Sequence, residues 1–359
     1  MAKREKVEKT ENVQAAANSL LTKDLVKKFG DVIMDVDTMV SNEHGTLTSI
    51  LSFDIATNGG IPIGSNVLIT SGPGTGKTTL LLSIVAQAQK QGFKAYYADV
   101  EARLQSALLK TIPSMSLTDE DEKNGLGPKL EVIRSTEGNV LTAEKFLEII
   151  IRLMQEQKRT IIIVDSIAAL SPESDQMAEV SDPSKLGNVQ KLLYKVLRGM
   201  AQQLVVNGNI LMCVSHQQAK IGGYGGKPTT FGGNAPQYFA TTSIVSYSTA
   251  KPYPEQGEPK IGQDTTFRII KCGLGAPNKE FVIPIRYGFG VSLETDLFNV
   301  AEDAGKIAKV GSWYVFTNSK GEEIKQHGKD TMIEWLKANP DEAKILENEL
   351  RELLITTKK

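Results

Sequence analysis

The sequence predicts an α/β fold. A mostly parallel central sheet is covered by helices, with a small N-terminal helical docking module before it and a small α+β C-terminal domain after it. Three observations predict this. Short apolar runs bounded by loops recur between Asn66 and Val214, and the run TIIIV (Thr160–Val164) leaves no polar face, as a strand buried on both sides requires. Helix-length amphipathic stretches separate these runs, the alternation that builds a parallel sheet. The composition is that of a globular chain: 359 residues, 40% hydrophobic, 23% charged and a net charge of −1.

In chain order, residues 1–45 form the first module. Ala16, Leu20, Leu21, Leu25, Val26 and Phe29 recur with helical period over Ala15–Phe29, and Gly30 is a stop signal. So small a piece has little core of its own, so it is expected to dock on something larger, as an oligomerisation module. Residues 46–296 form the core. Asn66–Thr70 (NVLIT) is a strand running into a Gly-rich loop, and Lys77–Lys90 is a helix. AYYA (Ala95–Ala98), TIIIV and ILMCV (Ile210–Val214) are further strands, followed by TFRIIKC and KEFVIPIRY. Residues 297–359 form the C-terminal domain, with a short strand in GSWYVF and two helices broken at Asn339-Pro340.

Several classes are excluded. No apolar run approaches the ~20 residues that span a bilayer. The charged N-terminus MAKREKVEKTENVQ carries no apolar leader. Cys213 and Cys272 lie in strand-like runs and read as small packed hydrophobes, which points to a reducing cytoplasm. His44, His216 and His327 show no metal-ligand spacing.

The loop Ser71, Gly72, Pro73, Gly74, Thr75, Gly76, Lys77, Thr78, Thr79 has the Walker A form between a strand and a helix. Backbone N–H groups of such a loop face phosphate oxygens, and the helix dipole adds to them. Lys77 is expected to neutralise the β/γ-phosphates and Thr78 to hold Mg²⁺. Ser71 stands where a glycine is usual, with Gly72 beside it. Asp165 ends a buried strand and reads as the Walker B acid, holding Mg²⁺ through water. Asp99 and Glu101 follow another strand, and one of them is expected to activate the attacking water.

Charge is segregated along the chain. Between Asp182 and Glu255 there is no acidic residue, while Lys185, Lys191, Lys195, Arg198, Lys220, Lys227 and Lys251 fall there. At 100° per residue, a helix over Lys185–Leu204 gathers Val189, Leu193, Val196, Met200 and Leu204 on one face and Lys191, Lys195 and Arg198 on the other. Such a stripe suits a phosphate backbone, although an ordinary solvated face competes with that reading. After ILMCV, the stretch from Ser215 through Lys220, Ile221 and Gly222 to TTFGGN reads as a long polar loop suited to a sugar–phosphate chain. His216 sits at the strand end, near where a γ-phosphate would be sensed.

These residues together resemble the RecA family, bacterial RecA and the phage UvsX-type recombinases, from about Ala15 to Leu354. LSFDIATNGGIPIG, VDSIAALSP, TTFGGN and GSWYVF with EWLKANPDEAK carry the resemblance in that order. His216 stands where RecA has a glutamine and UvsX-type proteins a histidine.

The resemblance implies a RecA-type P-loop ATPase core acting as a DNA-dependent ATPase. ATP and Mg²⁺ would be its cofactors, and single-stranded DNA and a homologous duplex its partners. Self-association into a helical filament is also implied, with no membrane and a cytoplasmic site of action (the host's, if phage-encoded). Residue by residue, it makes Glu101 the catalytic glutamate and puts Lys191 and Arg198 beside a first DNA loop at about 172–187. In a second loop at about 216–233, Ile221 would wedge between base triplets, with Gly232, Gly233 and Asn234 on the DNA backbone. Lys271 would reach the γ-phosphate of the adjacent subunit, and Arg268 falls at the secondary duplex site. Three features depart from RecA. Its second trans lysine is Gly273, its adenine-stacking tyrosine is Leu108, and its long acidic tail has no counterpart in ITTKK. The competing class is a RecA-fold motor without pairing activity, such as a DnaB-like helicase or a RadA/Sms-like accessory ATPase.

Overall fold

The computed structural model describes residues 22–30, 33, 36–41, 44–176, 188–218, 229–230, 235–246, 251–254 and 259–355. Contacts divide the chain into Met1–Gly45 and Thr46–Lys359. In the first unit residues 22–29 are helical (α1). Gly30, at φ +79, closes that helix with an N–H to Val26 O at 2.8 Å. A second helix, α2, spans Val36–Ser41. Phe29, Val36, Met39 and Val40 are exposed.

The second unit holds the central sheet. Its strands are β3 (Asn66–Ser71), β4 (Lys94–Asp99), β5 (Leu130–Ile133), β6 (Thr160–Asp165), β7 (Ile210–Gln218), β8 (Thr229–Thr230), β9 (Thr242–Ser246), β10 (Lys251–Tyr253), β11 (Gly262–Lys271), β12 (Glu280–Arg286) and β13 (Gly290–Val291). The short pair β1 (Thr46–Leu47) and β2 (Ile61–Pro62) stands apart. The strand order is β13-β12-β11-β9-β3-β7-β6-β4-β5, with β10 on β11 and β8 on β7. From β9 to β5 neighbours run parallel, and from β9 outward through β11, β12 and β13 they run antiparallel.

Helices α3 (Leu51–Thr57), α4 (Lys77–Lys90), α5 (Ser106–Thr111), α6 (Asp119–Asp121), α7 (Ala143–Glu156), α8 (Glu173–Gln176), α9 (Asn188–Asn207) and α10 (Ala235–Phe239) accompany the sheet. Side-chain alternation explains why β6 must be apolar throughout. Ile161 and Ile163 join the core containing Leu80, Leu81 and Ile84 of α4. Ile162 and Val164 join the opposite core, with Phe146 and Ile150 of α7 and Leu193 and Met200 of α9. Cys213 and Cys272 are both free thiols, and burial pushes Cys213 up to about 12.

The C-terminal part comprises α11 (Leu293–Asp303), the antiparallel sheet β14 (Ile307–Val310), β15 (Trp313–Thr317), β16 (Glu323–His327), then α12 (Lys329–Ala338) and α13 (Pro340–Leu354). Pro340 opens α13, where its missing N–H removes no helical bond. Phe298, Tyr314, Phe316, Met332, Leu336 and Leu350 form its core, joined by Leu51 of α3. A buried polar cluster ties it to the central-sheet part. Arg351 Nη1 donates to Asp54 Oδ2 at 2.7 Å, and Ser52 N donates to Asp296 Oδ2 at 3.0 Å.

One sequence expectation changes. The strand expected to end at Val214 continues to Gln218, so Ser215 and His216 are strand residues and not loop. The extension has ladder partners: His216 lies in register with Ser71 of β3, and Gln217 with Thr230 of β8. Of the helix expected over Lys185–Leu204, the described part is α9 from Asn188, and Lys185 lies outside the described residues. Strands β5 and β9 had no clear sequence signal, because both are short and β5 sits at an edge with two exposed residues.

Candidate nucleotide and DNA site

Four parallel strands deliver their carboxyl ends to one region: Ser71 of β3, Asp99 of β4, Asp165 of β6 and His216 of β7. Ligands of open α/β sheets gather there. The loop from Ser71 to Gly76 turns the chain from β3 into α4. Gly76 precedes α4 at φ +79, a left-handed backbone that glycine adopts freely, and a Cβ on it would collide with the Ile285 side chain of β12. Ser71, in the place of the usual glycine, is fully buried, and its hydroxyl lies 2.6 Å from that of Thr75. Pro73 and Gly74 form the exposed tip. Lys77 folds back over the loop and donates to Gly72 O at 2.7 Å. Burial lowers its ammonium below the ordinary lysine value, while Asp165 and Glu101 oppose that shift. Thr79 sits in the first turn of α4.

Thr78 and Asp165 meet: Thr78 Oγ1 donates to Asp165 Oδ2 at 3.0 Å. Tyr97 OH, from β4, donates to the same oxygen at 2.5 Å. Burial, then the Asp165 charge, raise the Tyr97 phenol far above its ordinary value, so it stays a donor.

The structure separates the two candidate bases. Asp99 is buried and fully engaged. It accepts from the backbone N–H of Arg103 at 3.0 Å and of Leu104 at 3.2 Å, and pairs with Arg134 at 2.7 Å. Glu101 instead faces an open cavity of about 390 Å³, lined by Val100, Glu101, Arg103, Ala168, Ala169 and His216. Its Oε1 accepts from Ser166 Oγ at 2.6 Å and meets His216 Nε2 at 2.7 Å, and its Oε2 pairs with Arg103 at 3.1 Å. Burial raises the Glu101 carboxyl, but the bonds from Ser166 and His216 and the charges of His216 and Arg103 outweigh it and hold it below the usual range.

Sequence reasoning missed Tyr97, Ser166 and Arg103, and also Gln263 and Tyr287. Gln263 donates to Gly74 O at 3.0 Å and accepts from Tyr287 OH at 3.1 Å. Tyr287, 57% exposed, thus presents a ring beside the phosphate loop. A polar group inside an otherwise apolar strand, as in AYYA, was the available signal for Tyr97. Leu108 lies in α5 and packs against the core.

On α9, Val189, Leu193, Val196, Met200 and Leu204 are buried, while Lys191, Lys195 and Arg198 are exposed. Arg268 on β11 is engaged by Glu280 at 2.5 Å, so a phosphate there would compete with that carboxylate. Lys271 donates to Tyr238 O at 3.0 Å. Lys220, Ile221, Gly222, Gly232, Gly233 and Asn234, and most of the first loop, lie outside the described residues. Among the described residues no helix is long and apolar enough to cross a membrane.

A phosphate loop between a central parallel strand and a helix, with a carboxylate on a nearby strand end bonded to the loop threonine, defines the P-loop nucleotide-binding class. Within that class the chain belongs to the RecA family of recombinases. Residues 16–292 match the RecA N-terminal domain and residues 295–355 the RecA C-terminal domain. RecA-family proteins are in general DNA-dependent ATPases that use ATP and Mg²⁺, and they typically bind single-stranded DNA and form filaments.

Proposed function

We propose that this protein is an ATP-dependent recombinase that polymerises on single-stranded DNA and catalyses homologous pairing and strand exchange. Residues 1–45 serve oligomerisation, 46–296 form the ATPase core with its two DNA loops, and 297–359 form the C-terminal domain. Its place of action is the cytoplasm.

The residues present fit the groups the family uses. Lys77 bonds to a loop carbonyl and has a phosphate oxygen as its natural replacement partner. Thr78 and Asp165 offer a hydroxyl and a carboxylate 3.0 Å apart, an all-oxygen donor set suited to Mg²⁺. When bound there, Mg²⁺ supplies charge neutralisation at the β- and γ-phosphate oxygens. Glu101 takes a proton from the attacking water, and Ser166 and His216 fix the direction in which its Oε1 faces. Lys271 of the neighbouring protomer supplies a cation to the γ-phosphate, and Tyr287 offers a ring face to the base. On the DNA side, Lys191 and Arg198 contact phosphates. Lys220, Ile221, Gly222, Gly232, Gly233 and Asn234 hold the strand, and Arg268 takes part in duplex binding. Base pairing, not side chains, then reads sequence.

One observation carries the reading. His216 touches Glu101 at 2.7 Å, and the same strand β7 runs on to Gln218 at the start of the second DNA loop. The residue that touches the base for hydrolysis and the start of the DNA loop therefore share one strand, a short path by which bound DNA would act on Glu101.

The test is electron microscopy with single-stranded DNA and an unhydrolysed ATP analogue, paired with a strand-exchange assay. Helical filaments and joint molecules are expected. Closed rings without joint molecules would overturn this reading in favour of a DnaB-like or RadA/Sms-like motor.

A further inference from the structure

We infer that Tyr97 is a positioning residue for the magnesium-binding carboxylate of Asp165, an inference that rests on the nucleotide reading of this site. Tyr97 and Ile163 are paired in register on β4 and β6, so Asp165 is the diagonal neighbour two residues further along the same face. An aromatic side chain spans that diagonal. The Tyr97 ring is 2% exposed and lies in the core beneath α4, where a phenylalanine would pack as well. What a phenylalanine lacks is the hydroxyl. A buried phenol needs a partner, and this one takes Asp165 Oδ2 at 2.5 Å.

Thr78 Oγ1 donates to the same oxygen at 3.0 Å. The Asp165 carboxylate is therefore held by donors from two elements, β4 and the first turn of α4. Both bonds go to Oδ2, which fixes the carboxylate plane and keeps Oδ1 out of this pair of contacts. A carboxylate at a strand end otherwise rotates freely about its last torsion. Once the Thr78 hydroxyl oxygen is committed to the metal, Tyr97 remains as the donor that does not move, because its ring is locked in the core. Residues that orient a metal's carboxylate partners in this way typically change metal affinity by about 10–100-fold when removed.

The experiment compares wild type with Tyr97→Phe. Binding of adenylyl imidodiphosphate is followed by calorimetry across a Mg²⁺ series and in EDTA, alongside thermal melting. The Mg²⁺ concentration for half-maximal analogue binding is expected to rise about tenfold or more. Binding in EDTA should be unchanged, full binding should return at saturating Mg²⁺, and the variant should melt as a folded protein. An unchanged Mg²⁺ midpoint overturns the inference, as does an equal loss with and without Mg²⁺, since either makes Tyr97 a core residue only. A wild type that binds no analogue at any Mg²⁺ concentration refutes the nucleotide reading itself, and Tyr97's role with it.

Discussion

Replacing Asp296 with asparagine should stabilise the protein at neutral pH and leave it unchanged in acid. Asp296, on α11, is 1% exposed and packs between the central-sheet part and the C-terminal helices. Its Oδ2 accepts from Ser52 N at 3.0 Å, while its Oδ1 is buried without a partner among the described residues. Burial pushes its carboxyl from 3.8 up to about 7, the bonds from Ser52 oppose this, the Asp54 charge adds to it and Arg351 pulls it down. Asp54 itself is pushed by burial up to about 6 despite the Arg351 guanidinium, which also pairs with Glu347. The folded state thus binds a proton at Asp296 that the unfolded chain releases above pH 3.8. Stability from this group is full below that value and is lost as pH rises towards 7. At about 1.4 kcal/mol per pH unit, the loss by neutrality is on the order of 4 kcal/mol, an upper bound since Asp54 titrates alongside. The asparagine side chain would keep an acceptor for Ser52 and lose the titration. Urea unfolding of both proteins at pH 4.5, 6, 7 and 8 measures the difference. The Asp296→Asn advantage should grow steadily from pH 4.5 to about 7 and then level off. A difference independent of pH would refute the reasoning.

Three further outcomes concern the site. Glu101→Gln should retain binding of ATP but hydrolyse it at least ~10²-fold more slowly, the usual worth of a general base, and normal turnover would return Asp99 to consideration despite its engaged oxygens. Lys191→Ala combined with Arg198→Ala should flatten the salt dependence of single-stranded DNA binding by up to about two phosphate contacts, each near −0.7 in log–log slope. An unaltered slope would leave these cations as a solvated face. His216→Ala should abolish stimulation of ATPase by DNA, and His216→Gln should restore part of it, because glutamine still donates to Glu101. Stimulation that survives the alanine would place the coupling elsewhere.

Much of this site is local in sequence, and that part was legible. The Walker loop, its flanking strand and its helix are consecutive residues whose identities are dictated by backbone geometry and phosphate chemistry. Asp165 was legible because a run such as TIIIV reads as a doubly buried strand, which makes its terminal acid conspicuous. The α9 stripe was legible because helical period sorts Leu193 and Met200 from Lys191 and Arg198 without reference to any other element. The continuation of β7 through His216 was not. Polar residues such as Ser215 and His216 extend a strand when a neighbouring strand supplies ladder partners, here Thr70 and Ser71 of β3.

By itself, then, the sequence determined the class of fold, the phosphate loop and the sign of the charge on α9, because each depends on contiguous residues and a fixed period. Only the tertiary structure shows how differently Asp99 and Glu101 are surrounded. Both follow from β4 and carry the same charge, but Arg134 and two backbone N–H groups consume Asp99, while Ser166, His216 and an open cavity surround Glu101. Likewise, nothing within AYYA shows that the Tyr97 hydroxyl meets Asp165, since that contact depends on the register of β4 against β6. Register is set by packing across the whole sheet, and residues 68 positions apart become partners only once it exists.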